Sequence, residues 1–212
     1  MANNLDFSQK TSAGPPSNSL DFSDRVTENT TKGLMSRQLD VVTTNVPASA
    51  YSMISNKIGV DQNTWDIYRN EIAGIESKGL GDYSAKGGHN NHYDGRYQMG
   101  KLAKEDAATL LGYSLKHDSK SRQSFRNDKV KQEEAFAAFT VKNHNYLMSK
   151  SKKYKELSLQ EKLSALAYAH NQGWSGANKW LKTGEVGSDA FGTKGTKYSN
   201  AITKALAKIE AN

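Results

Sequence analysis

From residue 61 onward the apolar positions recur with the period of an α-helix. Trp65, Tyr68, Ile72 and Ile75 fall on one stripe, Asn63 or Thr64 is placed to cap it, and the stripe ends beside Glu76. Residues 79–96 break the pattern. Five glycines (79, 81, 87, 88 and 95) lie there among Asn, Asp and His, which predicts an irregular loop or a small β-lobe. Helical spacing resumes over 101–111 and again over 128–148, where Val130, Phe136, Phe139, Tyr146 and Leu147 form a wide apolar face. Ser158 and Glu161 make a capping box ahead of Leu159, Leu163 and Leu166, and Asn171-Gln172-Gly173 is expected to stop that helix. Short helices over 176–181 and 198–209 complete a mainly α domain with a small irregular or β lobe over residues 61–212.

Residues 1–60 read differently. They hold all three prolines (Pro15, Pro16, Pro47) and only three of the nineteen aromatics, in a background of Asn, Ser and Thr. So little apolar surface does not offset the entropy of ordering a chain. The expectation is a flexible N-terminal arm. Within it Leu5-Asp6-Phe7-Ser8 recurs as Leu20-Asp21-Phe22-Ser23. Two copies on a flexible tether suggest a bivalent docking peptide, in which binding of one copy raises the effective concentration of the other. The alternative is a chance recurrence in a biased segment.

The charge follows the same division. The 212 residues carry a formal net charge of +7, yet residues 1–60 balance five basic against five acidic side chains. The surplus therefore belongs to 61–212, and it favours a polyanionic partner such as nucleic acid, anionic lipid or bacterial cell wall. No cysteine is present, which excludes disulfide frameworks, thiolate metal sites and cysteine nucleophiles. No apolar run approaches the ~18 residues of a membrane span. The first residues, MANNLDFSQK, lack the basic and apolar regions of a signal peptide, so a carrier is expected if the protein acts outside the cytoplasm.

Glu76 is the first candidate for chemistry. At a helix C-terminus between an apolar stripe and a glycine-rich loop, its carboxyl group faces core on one side and a cleft on the other. Partial desolvation and the negative helix end both favour the protonated form that a general acid needs. The bland alternative is a solvated helix-end glutamate. Its company matters: Glu76-Ser77, then Gly95-Arg-Tyr-Gln98-Met99, then Ala169-His170-Asn171. In that order these motifs resemble those of the lysozyme-like lytic transglycosylases, Glu-Ser, Gly-Leu-Met-Gln and Ala-Tyr-Asn. The resemblance covers roughly 64–205 and extends to Gln132–Phe136 and Asp189–Thr193, which look like the helical tail of such domains in bacteriophages and bacteria.

The resemblance implies a lysozyme-like α+β fold and a bacteriolytic enzyme that cleaves the β-1,4 bond between N-acetylmuramic acid and N-acetylglucosamine in peptidoglycan. Glu76 would be its acid/base. Ser77 would contact substrate or the Glu76 carboxylate, Gln98 the N-acetyl sugar at the scissile bond, Met99 the back of the cleft and Asn171 an N-acetyl group. Tyr97 or Tyr93 would offer a face to a sugar ring. Two departures stand out: His170 replaces the usual tyrosine, with Tyr168 as a nearby phenol, and Arg96-Tyr97 replaces Leu-Met. A transglycosylase needs no second carboxylate, because Glu76 protonates the glycosidic oxygen and then takes the proton of the C6 hydroxyl, closing a 1,6-anhydro ring. The rival is a hydrolytic muramidase, a lysozyme or endolysin, in which Asp82 or Asp94 activates water. Both aspartates are equally plain turn residues.

A phage virion is the most economical carrier. The arm, through Leu5, Phe7, Leu20 and Phe22, would dock the enzyme on a virion or tail protein and deliver it to the host periplasm and cell wall. The alternatives are an endolysin held in the host cytoplasm before release and a non-catalytic virion structural protein with a lysozyme-like fold. His89, His92 and Asp94 have the look of a metal cluster but lack an evident fourth ligand, so neither metal nor cofactor is expected. Lys150, Lys152, Lys153 and Lys155 read as a solvated linker. No nucleic-acid-binding signature accompanies the charge, and no nucleic-acid partner is expected.

Overall fold

The computed structural model describes residues 47–210, the side chain of Glu210 excepted. These residues fall within the second of two units of the chain, Gln38–Asn212. The docking residues Leu5, Phe7, Leu20 and Phe22 lie outside the described residues.

Among the described residues the protein is mainly α: α1 (Ala48–Ile58), α2 (Gln62–Glu76), α3 (Lys101–Leu111), α4 (Ser119–Asn127), α5 (Lys129–Lys150), α6 (Lys152–Glu156), α7 (Leu159–Thr183) and α8 (Gly195–Glu210). A two-stranded antiparallel sheet, β1 (Lys86–Gly87) and β2 (Tyr93–Asp94), pairs Lys86 with Asp94 and Gly87 with Tyr93. It forms the small lobe between α2 and α3. No described helix is long and apolar enough to cross a membrane.

The core is built around α5. Residues 135–141 of that helix are all buried, so it is enclosed on every side rather than along one stripe. It packs against α1, α3 and α7, while α8 closes over α7 and α2. The α2 stripe delivers Trp65, Tyr68 and Ile72, all fully buried, and the rings of Trp65, Tyr68 and Tyr97 gather around Phe136. Leu163 and Leu166 of α7 are buried, but Leu159, one residue into that helix, is exposed, as is Val130 at the start of α5.

Several boundaries depart from the sequence reading. Residues 48–58, assigned by composition to the arm, form α1 and bury Ala50 and Ile54 completely. Helix α2 is capped by Asp61, whose Oδ1 accepts from the Thr64 amide at 2.9 Å, rather than by Asn63 or Thr64. The lysines read as a linker lie largely on α6, which is capped by Ser151 and buries Tyr154. Asn171–Gly173 does not end α7: the helical path breaks at Gly173 (φ 68°, ψ 166°) and continues to Thr183. The φ at Gly173 is one that side chains rarely adopt.

Gln132 joins the small lobe to the core. From α5 its amide nitrogen donates to the carbonyls of Tyr83, Phe125 and Arg126, and its oxygen accepts from the Arg96 amide at 2.9 Å. A Cβ at Gly95 (φ 77°) would lie 1.9 Å from that oxygen, so glycine is required for the turn to approach.

Candidate active site

The end of α2, the small lobe, α3, α5, the region around the α7 break and the start of α8 enclose a cleft of about 990 Å³. Glu76 lies on its wall. The side chain is 17% exposed, and one oxygen, Oε1, receives two contacts: the Tyr198 hydroxyl at 2.8 Å and His170 Nε2 at 3.1 Å. Oε2 has no hydrogen-bond partner among the described residues. Burial and the adjacent Glu76 charge push the Tyr198 hydroxyl well above its ordinary pKa, so it keeps its proton and donates. The Phe136 and Phe139 rings meet His170 edge-on, and its Nδ1 is buried with no partner among the described residues. A hydrogen on Nε2 makes the contact with Glu76 a hydrogen bond.

The other predicted residues divide. Gln98 and Met99 line the cleft. Gln98 has a left-handed backbone (φ 45°), and its amide nitrogen donates to the Gly95 carbonyl at 2.8 Å. Met99 is buried. Asn171 also lines the cleft, but its amide is occupied within the protein: Nδ2 donates to Asp189 at 2.9 Å and Oδ1 accepts from Gln172 at 2.5 Å. Tyr93 reaches the cleft, and its ring lies against Gly88 and Gly100 and meets Phe191 edge-on.

Four expectations fail on geometry. Ser77 is buried at the end of α2, where its hydroxyl donates to the Ala73 carbonyl at 3.2 Å and lies 3.5 Å from Asp82, so it does not face Glu76 or the cleft. Tyr97 is a core residue, stacked at 3.8 Å on Phe136 with its hydroxyl donating to Glu133, and has no face to offer a sugar. Asp82 pairs with Arg96 at 2.5 Å and does not line the cleft. Asp94 is fully buried and paired with Lys104 at 2.6 Å, Arg122 at 2.8 Å and Arg126. Burial alone raises its pKa, but the hydrogen bonds from Arg122 and Lys104 outweigh that and hold the carboxyl below the usual range. Asp94 is thus a structural anion. Of the proposed metal cluster, Asp94 is committed to those cations, and no described group of His, Asp and Glu is arranged to hold a metal.

Further residues complete the cleft. Tyr198 lies 122 positions from Glu76, and nothing local marked it. Asp189 accepts from Asn171 and from the amides of Phe191 and Thr193. These bonds hold it ionised below the usual range even though burial acts the other way. Asn143 and Trp174 also line the walls.

No protein-family model, curated protein or solved structure matches the chain.

Proposed function

We propose that the chain is a peptidoglycan-degrading enzyme with a lysozyme-like domain. In this reading it cleaves the β-1,4 bond between N-acetylmuramic acid and N-acetylglucosamine as a lytic transglycosylase. The observation that carries it is Glu76: a carboxyl group on the wall of a cleft large enough for sugar rings, anchored through one oxygen by Tyr198 and His170, with the other oxygen open. Anchoring one oxygen fixes the direction in which the other transfers a proton, the geometry that general acid–base catalysis requires.

The protonated Oε2 gives its proton to the glycosidic oxygen as that bond breaks, and positive charge develops at C1 of the muramyl ring. The substrate's own acetamido oxygen is the internal group that stabilises C1. Glu76, now ionised and still held by its two donors, takes the proton of the C6 hydroxyl as O6 bonds to C1. The products are a 1,6-anhydromuramyl end and a free 4-hydroxyl, with no water consumed. The inaccessibility of Asp94 and the pairing of Asp82 favour this route over hydrolysis. Asp106 and Asp189 also line the cleft, and Asp189 already accepts three protein hydrogen bonds.

The test is clearing of purified peptidoglycan by the wild-type chain beside Glu76→Gln, followed by mass spectrometry of the soluble products. The expected result is anhydromuramyl ends from the wild type and no clearing by the variant. Reducing ends formed with uptake of water assign hydrolysis instead, and undiminished clearing by Glu76→Gln rejects Glu76 as the acid. Carriage by a phage virion, through the repeated Leu-Asp-Phe-Ser element, is part of the same proposal. Its check is the presence of the protein in purified particles rather than only in lysates.

A further inference from the structure

We propose that Asn143 recognises an acetamido group of the substrate, with Trp174, backed by the Tyr146 ring, as the platform for the neighbouring sugar. This rests on the glycan-cleaving reading above. Three side-chain amides line the cleft: Gln98, Asn143 and Asn171. Asn171 spends both ends of its amide on Asp189 and Gln172, and Gln98 gives its nitrogen to Gly95. Asn143 is only 2% exposed, yet its amide makes no hydrogen bond among the described residues. Its amide atoms are not among the buried ones left without a partner, so they are the part of the side chain that reaches the cleft, and a donor and an acceptor side by side there are a recognition element. The matching ligand group is a secondary amide, which offers one C=O and one N–H. The ring of Phe139, one turn earlier on α5, lines the same wall and suits the acetyl methyl group.

The placement along α5 supports the assignment. Phe139, Asn143 and Tyr146 recur at i, i+4 and i+7, one stripe of the helix. At the near end Phe139 meets His170, ring centroids 5.9 Å apart, and His170 touches Glu76. At the far end Tyr146 stacks on Trp174 at 5.1 Å and 23°. With a rise of 1.5 Å per residue, Asn143 lies about 6 Å beyond Phe139 and Tyr146 about 10 Å beyond it. Those steps suit successive rings of a β-1,4-linked chain, whose apolar faces pack on an indole. The ligand class is therefore an N-acetylated hexosamine chain. A deacetylated chain presents an ammonium group, which can donate to Asn143 but has no carbonyl to accept from it and no methyl group to place on Phe139.

The experiment uses the full chain carrying Glu76→Gln, titrated with a β-1,4-linked tetramer of N-acetylglucosamine and separately with the glucosamine tetramer. Tryptophan fluorescence and calorimetry report binding. The N-acetylated tetramer is expected to bind at least about tenfold more tightly, the size of effect expected from one amide pairing gained. Adding Asn143→Leu or Asn143→Asp should abolish that preference. The aspartate has the shape of asparagine and keeps the test valid if the leucine variant melts early. Equal binding of both tetramers, no binding of either, or an undiminished preference in a folded Asn143 variant overturns the proposal. Failure of Glu76 to affect clearing sinks the catalytic reading alone, because the acetamide preference is measured without turnover.

Discussion

Asp94→Asn should be among the most destabilising single changes in the protein. The carboxylate and the Lys104 ammonium are both fully shielded from solvent, whereas Arg122 and Arg126 are 16% and 11% exposed. Neutralising Asp94 strands one buried cation outright and removes the shared anion of two others that water partly screens. Breaking a buried pair in this way costs about 3–5 kcal/mol, and the screening of the two arginines places the expectation near the lower end, about 3 kcal/mol. For a body of this size that corresponds to a fall of about 10 °C in Tm. Circular dichroism melts of wild type and variant at pH 7 provide the measurement. Lys104 sets the sign of a second test. Burial, with the nearby Arg122 and Arg126 charges, lowers its pKa against the pull of Asp94, because three cations share one anion. Replacing it by methionine in the Asp94→Asn background should recover stability, since the stranded charge is then gone. A variant within 1 kcal/mol of wild type, or a double variant less stable than the single one, would refute the reasoning.

The same carboxylate predicts a pH dependence. Its folded pKa lies below its unfolded value, so its stabilisation is present above the unfolded value near 3.9 and is lost as pH falls through the folded one; the difference in stability between wild type and Asp94→Asn should shrink on acidification below about pH 4. Tyr198→Phe removes one donor to Glu76 and should slow peptidoglycan clearing by about tenfold with little change in Tm, which a rate assay beside a melt separates. Gln132→Ala removes a side chain that bonds four backbone groups and should cost about 2–4 kcal/mol, with hydrogen exchange accelerating first at residues 83–98. Gly88→Ala places a Cβ 2.3 Å from the Tyr93 ring at φ 72° and should destabilise by at least about 1 kcal/mol, read in a urea titration.

Features that a helix writes into its own spacing were legible. Trp65, Tyr68 and Ile72 pointed inward because the 3.6-residue period requires it, and the Ser158–Glu161 box capped α7 because both of its bonds are local. Helix α4, SKSRQSFRN, buries only Phe125 and shows no apolar stripe; what binds it to the rest is that ring, the Gln132 bonds to the Phe125 and Arg126 carbonyls, and the pairing of its two arginines with Asp94. Asp94 looked like a free turn acid for the matching reason. Its cations lie 10, 28 and 32 residues away, a distance no local pattern spans. Helix α1 was hidden by composition, since Ala50 and Ile54 bury a narrow strip that does not stand out against Ser and Asn. At the cleft, Gln98 and Met99 line the wall, but neighbouring Tyr97 turns the other way and joins Phe136 in the core. Adjacent residues of a tight turn diverge, and the direction of each depends on tertiary partners.

The bond between Tyr198 and Glu76 joins the second described helix to the last one. A ribosome finishes Glu76 long before α8 emerges, so the growing chain carries the carboxyl group without the hydroxyl that aims it. Its orientation is settled only when α8, made later, folds back over α2.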